Sequence, residues 1–188
     1  MPTPPTLLRP TLELPGLNAR LRPWQPTDAQ VLARHANDAD VARYLRDVFP
    51  HPYSLADAHY YLNLVTDPAS TELTVAIEVD GEAAGSISLL FQPDISRRSA
   101  EIGYWLGRQC WGQGIATAAV RALSTYGLAQ FDLVRLYATV YAPNLASARV
   151  LEKAGYTLEG RLRQAVTKHE QVLDALLYAQ VKPLLPLK

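Results

Sequence analysis

The residues whose types and spacing best fit a chemical task are Trp111-Gly112-Gln113-Gly114-Ile115-Ala116. Two glycines at i and i+2 open a helical pattern running from Gly112 to Phe131, with Ile115, Ala118, Ala119 and Ala122 at helical spacing. Glycine permits a positive φ and lets a ligand approach the backbone closely. A helix N-terminus presents unpaired N–H groups and the positive end of the helix dipole. Together these make a site for an anion, phosphate above all. No Gly-Lys-Ser/Thr follows, so the run is not a P-loop. The third glycine of a dinucleotide fingerprint is missing, and the preceding strands read as antiparallel. From the two glycines alone, a tight strand-to-helix turn without any ligand is an equal alternative.

Elements must hold that turn in place. The chain has 188 residues, of which 48% are hydrophobic, enough for one domain with a real core. The first ten residues hold Pro2, Pro4, Pro5 and Pro10 and read as a loose lead-in. Leu17 to Trp24 reads as a first strand. Pro26-Thr27-Asp28 starts a helix to about Asn37, and a short one covers Asp38 to Arg46. Ser54 caps a helix over Leu55 to Thr66, with Asp57 at the capping-box position. Strands follow at Thr71 to Val79, Ala83 to Phe91 and Ala100 to Leu106, the first two joined at Asp80-Gly81. After the long helix come a strand from Val134 to Tyr141 and a helix from Asn144 to Ala154, closed by Gly155. Strands at Tyr156 to Arg163 and Val172 to Gln180 finish the chain. The pattern is one α+β domain over residues 1–188: early helices, an antiparallel meander, then two β-α-β crossovers.

Composition narrows the function. Lys plus Arg number 18 and Asp plus Glu number 18, so no general attraction to nucleic acid or an anionic membrane is built in. A single cysteine, Cys110, allows no intrachain disulfide and no cysteine-based metal site; it reads as a small buried residue. The four histidines show no ligand spacing with carboxylates, so no metal is expected. The start lacks the features of a secretory signal, and no apolar run reaches the roughly 20 residues of a membrane span. A cytoplasmic protein is expected.

Two segments carry a family resemblance. Gly112-Gln113-Gly114-Ile115-Ala116, after Glu101-Ile102-Gly103-Tyr104-Trp105-Leu106, resembles the coenzyme A pyrophosphate loop of the GNAT N-acetyltransferases. That loop reads Arg or Gln, any two, Gly, any one, Gly or Ala. Gly114 and Ala116 match, and Trp111 stands where Arg or Gln is usual. The departure matters little if backbone N–H groups hold the phosphates. About thirty residues on, Asn144-Leu145-Ala146-Ser147 with Glu152-Lys153-Ala154-Gly155-Tyr156 is similar to the branch that acetylates ribosomal-protein N-termini. The resemblance covers roughly Ala19 to Tyr178. It implies a mixed, mostly antiparallel central sheet of about six to seven strands flanked by helices.

The resemblance also implies the reaction: a neutral amine attacks the thioester of acetyl-CoA in a ternary complex. Glu101 is then the candidate base, directly or through a water, with small Gly103 on the same strand face leaving room for a ligand. Its alternative is an ion pair with Arg97 or Arg98. Much of the family places a Tyr acid where this chain has Leu151. Ser147 lies one turn earlier on the same helix face, where the ribosomal-protein branch has its serine. It can protonate the leaving sulfur, hydrogen-bond it, or be an ordinary first-turn serine. Coenzyme contacts are implied at Trp105, Leu106, Trp111, Gly112, Gln113, Gly114, Ile115, Ala116, Thr117, Asn144 and Lys153. Asn144 is also a helix N-cap. Arg149 is a further candidate for the phosphates, and an oxyanion-binding N–H is expected near Trp105 or Leu106.

The acceptor is left open between a peptide N-terminus and a small amine. Tyr60 and Tyr61 are the leading candidates for its site, with His51, Tyr53, Arg161, His169 and Tyr178 behind them. A homodimer through the C-terminal strands is implied by resemblance. Two other readings remain: a non-catalytic coenzyme A-binding sensor, and an unrelated nucleotide-binding α/β domain.

Overall fold

In the computed structural model, residues 8–183 are described. A single sheet of eight strands organises them. It contains β1 (Leu12–Glu13), β2 (Ala19–Arg22), β3 (Glu72–Val79), β4 (Glu82–Phe91), β5 (Ser99–Leu106), β6 (Arg135–Tyr141), β7 (Thr157–Lys168) and β8 (Gln171–Val181), in the order β1-β2-β3-β4-β5-β6-β8-β7. Every neighbouring pair is antiparallel except β5 and β6. The fold is therefore mixed α+β with a mostly antiparallel sheet, one strand larger than the upper expectation. The extra strand is β1, two residues paired to Leu21 and Arg20, too short to leave a periodic signal. The lead-in expectation falls mostly on residues outside those described, but Leu8 and Arg9 are tied down. Tyr126 donates to the Leu8 carbonyl and Arg9 to the Asp67 carbonyl.

The helices are α1 (Ala29–Ala36), α2 (Ala39–Ala42), α3 (Leu55–Thr66), α4 (Ile115–Gln130) and α5 (Leu145–Ala154). Local signals place their ends. Ser54 Oγ accepts from the Asp57 N–H while Asp57 accepts from the Ser54 N–H, a complete capping box on α3. Asn144 Oδ1 accepts from the Ser147 N–H at 3.1 Å, and Gly155 closes α5 at φ 95°.

Two cores cover the two faces of the sheet. On one, α4 and α5 pack through Ile115, Ala119, Val120, Leu123, Ala148 and Leu151 onto Ala100, Ile102, Leu106, Leu136 and Val140. On the other, α1 and α3 pack through Leu32, Ala36, Ala58 and Leu62 around Trp24, Tyr53 and Ala76. The first crossover, β5-α4-β6, joins neighbouring parallel strands. The second, β6-α5-β7, does not end beside β6, because β8 turns back and takes the place between them.

Candidate active site

The parallel contact between β5 and β6 is short. It holds Ser99 to Arg135, Ala100 to Leu136 and Glu101 to Tyr137, and then the strands part. On its other edge β5 stays fully paired to β4. The Gly107 N–H donates to the Ala84 carbonyl at 2.7 Å and the Gln92 N–H to the Ser99 carbonyl at 3.0 Å. Alternation along an antiparallel ladder then turns the odd-numbered residues of β5 toward β4. The backbone groups of Ile102, Tyr104 and Leu106 therefore face the split. The Leu106 carbonyl accepts from Trp111 Nε1 at 2.7 Å. The N–H groups of Tyr104 and Leu106 are left aimed at a cavity of about 840 Å³ that fills the split. Trp105, by contrast, points its N–H into the ladder, so an oxyanion donor is available at Leu106 or Tyr104 and not at Trp105.

At one end the cavity meets the start of α4. Gly112 and Gly114 have φ of 76° and 79°, and a Cβ at either would touch nothing within 4 Å. Backbone conformation, rather than crowding, is what demands glycine there. The first helical bond runs from the Ala118 N–H to the Gly114 carbonyl, and no side chain caps the end. The N–H groups of Ile115, Ala116 and Thr117 thus stay free for an anion. Trp111, Gly112, Gly114, Ile115, Ala116, Thr117, Asn144, Arg149 and Lys153 all line the cavity, as do Trp105 and Leu106. Gln113 does not: its amide donates to the Gln109 carbonyl and stiffens the loop from outside. Trp111 gives its indole N–H to β5, so it braces the loop where Arg or Gln is usual. Positive-φ glycines, free N–H groups and an open polar strand edge are what a pyrophosphate with a long amide-bearing arm requires.

Glu101 and Ser147 reach this cavity from opposite faces of the sheet. Glu101, Gly103 and Trp105 share the face of α1 and α3; Ile102, Tyr104 and Leu106 share the face of α4 and α5. The Glu101 carboxylate, 22% exposed, is 3.3 Å from Arg46 Nη2. The expected partners lie elsewhere: Arg98 bonds Asp132 and Arg97 bonds the Asp94 carbonyl. The Ser147 hydroxyl is 2.8 Å from the Tyr104 hydroxyl, which also lies 3.2 Å from the Ser147 carbonyl. Burial pushes the Tyr104 phenol well above its ordinary range, and the bond to Ser147 only partly offsets this. Tyr104 therefore stays protonated, with one hydrogen to give to the Ser147 carbonyl or to Ser147 Oγ. When it donates to Ser147 Oγ, the serine hydrogen is free to point into the cavity. Leu151 is fully buried in the core beneath.

Residues 18–157 match the acetyltransferase (GNAT) domain, about three-quarters of the chain. The chain belongs to the GNAT acetyltransferase family. This makes it an acyltransferase that uses acetyl-CoA. It is 29% identical over 166 residues to the spermidine N(1)-acetyltransferase of Escherichia coli K12, covering 85% of this chain and 83% of that one. It is 36% identical over 84 residues to the ribosomal-protein-serine acetyltransferase of the same organism, covering 45% and 47%. Mycobacterium smegmatis RimJ, solved in complex with CoA-disulfide, superposes with a TM-score of 0.79 at 26% identity, over 92% of this chain and 86% of that one.

The acceptor side of the acetyltransferase departs from expectation. Tyr60 and Tyr61 do not line the cavity. Tyr60 is 73% exposed on the outside of α3. Tyr61 is half-buried, with its hydroxyl bonded to Ser86 Oγ at 2.7 Å and its ring packed edge-on against Trp24; desolvation pushes its phenol up to about 12. The helix α3 that carries them lies behind β3 and β4, away from the split. His51, Tyr53, Arg161, His169 and Tyr178 are also absent from the lining; Tyr178 sits on the opposite face, bonded to Glu152. The wall beside Glu101 comes instead from Tyr44 and Arg46 after α2, Leu90, Tyr141 and Val166. Tyr44 and Arg46 lie in a turn with no periodicity to mark them. Tyr104 was readable in principle, standing three residues after Glu101 in the strand that enters the loop. Among the described residues no cluster of three His, Cys, Asp or Glu side chains is placed to hold a metal, and no helix is long and apolar enough to cross a membrane.

Proposed function

We propose that the acetyltransferase moves an acetyl group from acetyl-CoA to a primary amine by direct attack in a ternary complex. The observation that carries this reading is the split in the sheet. It joins the free N-terminus of α4 to a point where Glu101 and Ser147 meet from opposite faces. The Gly112–Thr117 turn holds the pyrophosphate, with Lys153 and Arg149 at the rim. Leu106 and Tyr104 offer N–H groups to the pantetheine arm and to the thioester oxygen as it gains charge. Trp105 and Asn144 wall the arm.

Chemistry then divides between the faces. Glu101 takes a proton from the amine, directly or through one water, as its nitrogen bonds the carbonyl carbon. The carbon–sulfur bond breaks toward Ser147, whose hydroxyl, fixed by Tyr104, donates a hydrogen bond to the departing thiolate. A serine alkoxide is too basic to be left behind at neutral pH. The pair therefore serves as a stabilising donor, with solvent completing protonation of the thiol. The relatives' names point to two acceptor classes, a polyamine and a ribosomal-protein N-terminus.

A thiol-release assay with a panel of amines tests the reading. Glu101→Gln should lower kcat by about 10²-fold or more, the scale of general base catalysis. Acetyl-CoA should raise the melting temperature of both proteins equally, and ATP or NAD should not. Equal turnover by Glu101→Gln at every pH removes Glu101 from the mechanism. Binding of acetyl-CoA without thiol release for any amine would leave a coenzyme sensor.

A further inference from the structure

The charges at the acceptor end of the cavity are not those a polycation would choose. Two carboxylates line the cavity, Asp40 and Glu101. Asp40 is already shared: Arg43 Nη2 stands 2.7 Å from its Oδ1 and Arg108 Nη1 3.0 Å from its Oδ2. Glu101 has one charged partner, Arg46, at 3.3 Å. Each carboxylate of the lining is thus already held by an arginine, Asp40 by Arg43 and by Arg108 from outside the lining, and Glu101 by Arg46. A polyamine would bring several positive charges into a mouth whose carboxylates already have arginine partners. A simple monoamine would displace Arg46 from Glu101 and leave the guanidinium without a counter-charge.

An amine with a carboxylate next to it satisfies both halves of the pair. Its ammonium replaces Arg46 at Glu101, and its carboxylate replaces Glu101 at Arg46. We propose that the acceptor is an amine bearing a carboxylate close to its nitrogen, and that Arg46 is the residue that reads this carboxylate. The proposal rests on Glu101 being the group that meets the amine. The geometry suits such an exchange. A contact of 3.3 Å is long for a charge-assisted bond, so opening it costs little. The Arg46 side chain is 66% exposed and free to swing, and its planar fork takes both oxygens of a carboxylate. Two sources present this chemistry: the α-carboxylate of a free amino acid, or the side-chain carboxylate of an acidic first residue in a peptide.

Matched acceptors separate the sources. Glycine against glycinamide isolates the α-carboxylate, and a peptide beginning with Asp against one beginning with Asn isolates the side chain. The readout is the ratio of kcat/KM, acid over amide, in wild type and variants, so that differences in amine basicity cancel. Arg46→Gln should lower the ratio about tenfold or more in one pair, the size of a lost charge-assisted contact. Arg46→Lys should retain more of it, since the charge remains. The pair that responds identifies the source. A ratio unmoved in both pairs overturns the proposal while leaving amine transfer intact. A wild type that turns over spermidine better than all four acceptors overturns it as well. No thiol release with any acceptor overturns it together with amine transfer.

Discussion

Of the arginines that hold carboxylates, Arg22 and Arg46 do opposite work. Arg22 on β2 has a 9% exposed side chain. It grips Asp28 with two bonds of 2.8 Å and Glu78 with a third contact, while Arg20 takes the other Glu78 oxygen at 2.7 Å. Burial pushes the Glu78 carboxyl up, but the bonds from Arg22 and Arg20 outweigh it and hold the group below its ordinary value. Arg46 makes one long contact to Glu101 and is mostly in water. The first cluster is closed, with each carboxylate oxygen occupied and none of its residues lining the cavity in the split sheet. The second stands open against the cavity in the split sheet. Saturation and burial mark a pair that ties β2 and β3 to the entry of α1. A loose, half-wet pair in a cavity is one a ligand can take apart.

Removing Arg22 is the strongest way to break this contrast. Arg22→Ala leaves Asp28 without a cation and Glu78 with Arg20 alone, both in a nearly dry environment. The expected loss is about 3–5 kcal/mol of unfolding free energy, measured by urea denaturation. A loss near that of an exposed pair would show that the cluster is wetter than its burial implies, and the distinction from Arg46 would fail.

The hydroxyl pair on the far face gives the next effect. If Tyr104 acts by fixing Ser147, then Tyr104→Phe and Ser147→Ala remove one function between them. Each single variant should slow the chemical step by about tenfold, the scale of one hydrogen bond lost in a polar site. The double variant should be no slower than Ser147→Ala, with KM for acetyl-CoA little changed throughout. Additive losses would mean that Tyr104 serves packing or the strand edge, and that Ser147 is oriented by Asn144 and its helix alone. An unaffected Ser147→Ala would return Ser147 to an ordinary helix serine.

How far these features were legible follows from how local they are. The capping box at Ser54 and Asp57, the Asp80-Gly81 turn with φ of 50° and 84°, and the Asn144 and Gly155 ends of α5 are written in neighbouring residues. So is the glycine turn before α4. The return of β8 between β6 and β7 is a tertiary choice that no local signal encodes. The cavity wall beside Glu101 escaped for the same reason. Tyr44 and Arg46 follow a four-residue helix, and only folding brings that turn beside Glu101. Tyr60 and Tyr61, adjacent in sequence, part in space: one faces water, and the other, half-buried, packs against Trp24 and bonds Ser86, so neither lines the cavity. Glu101 was legible as a carboxylate beside the loop, but its partner was not. Arg97 and Arg98 are near in sequence, and Arg46 is near in space.

The smallest effect is the most discriminating one. Arg46→Gln should change the stability of the acetyltransferase by less than about 1 kcal/mol, because an exposed ion pair gains little over two solvated charges. Glu101 would lose a partner but keep water, since it stands at the wall of an open cavity, so no buried charge is stranded as in Arg22→Ala. Salt should widen the contrast. Raising ionic strength screens the Arg46 contact and erases what little it contributes, while the Arg22 cluster, out of reach of counterions, holds. Urea titrations of both variants at low and high salt decide the matter. If Arg46→Gln destabilises the fold as much as Arg22→Ala does, Arg46 and Glu101 are a structural tie, and the turn after α2 is held in place by them rather than left free to meet a ligand.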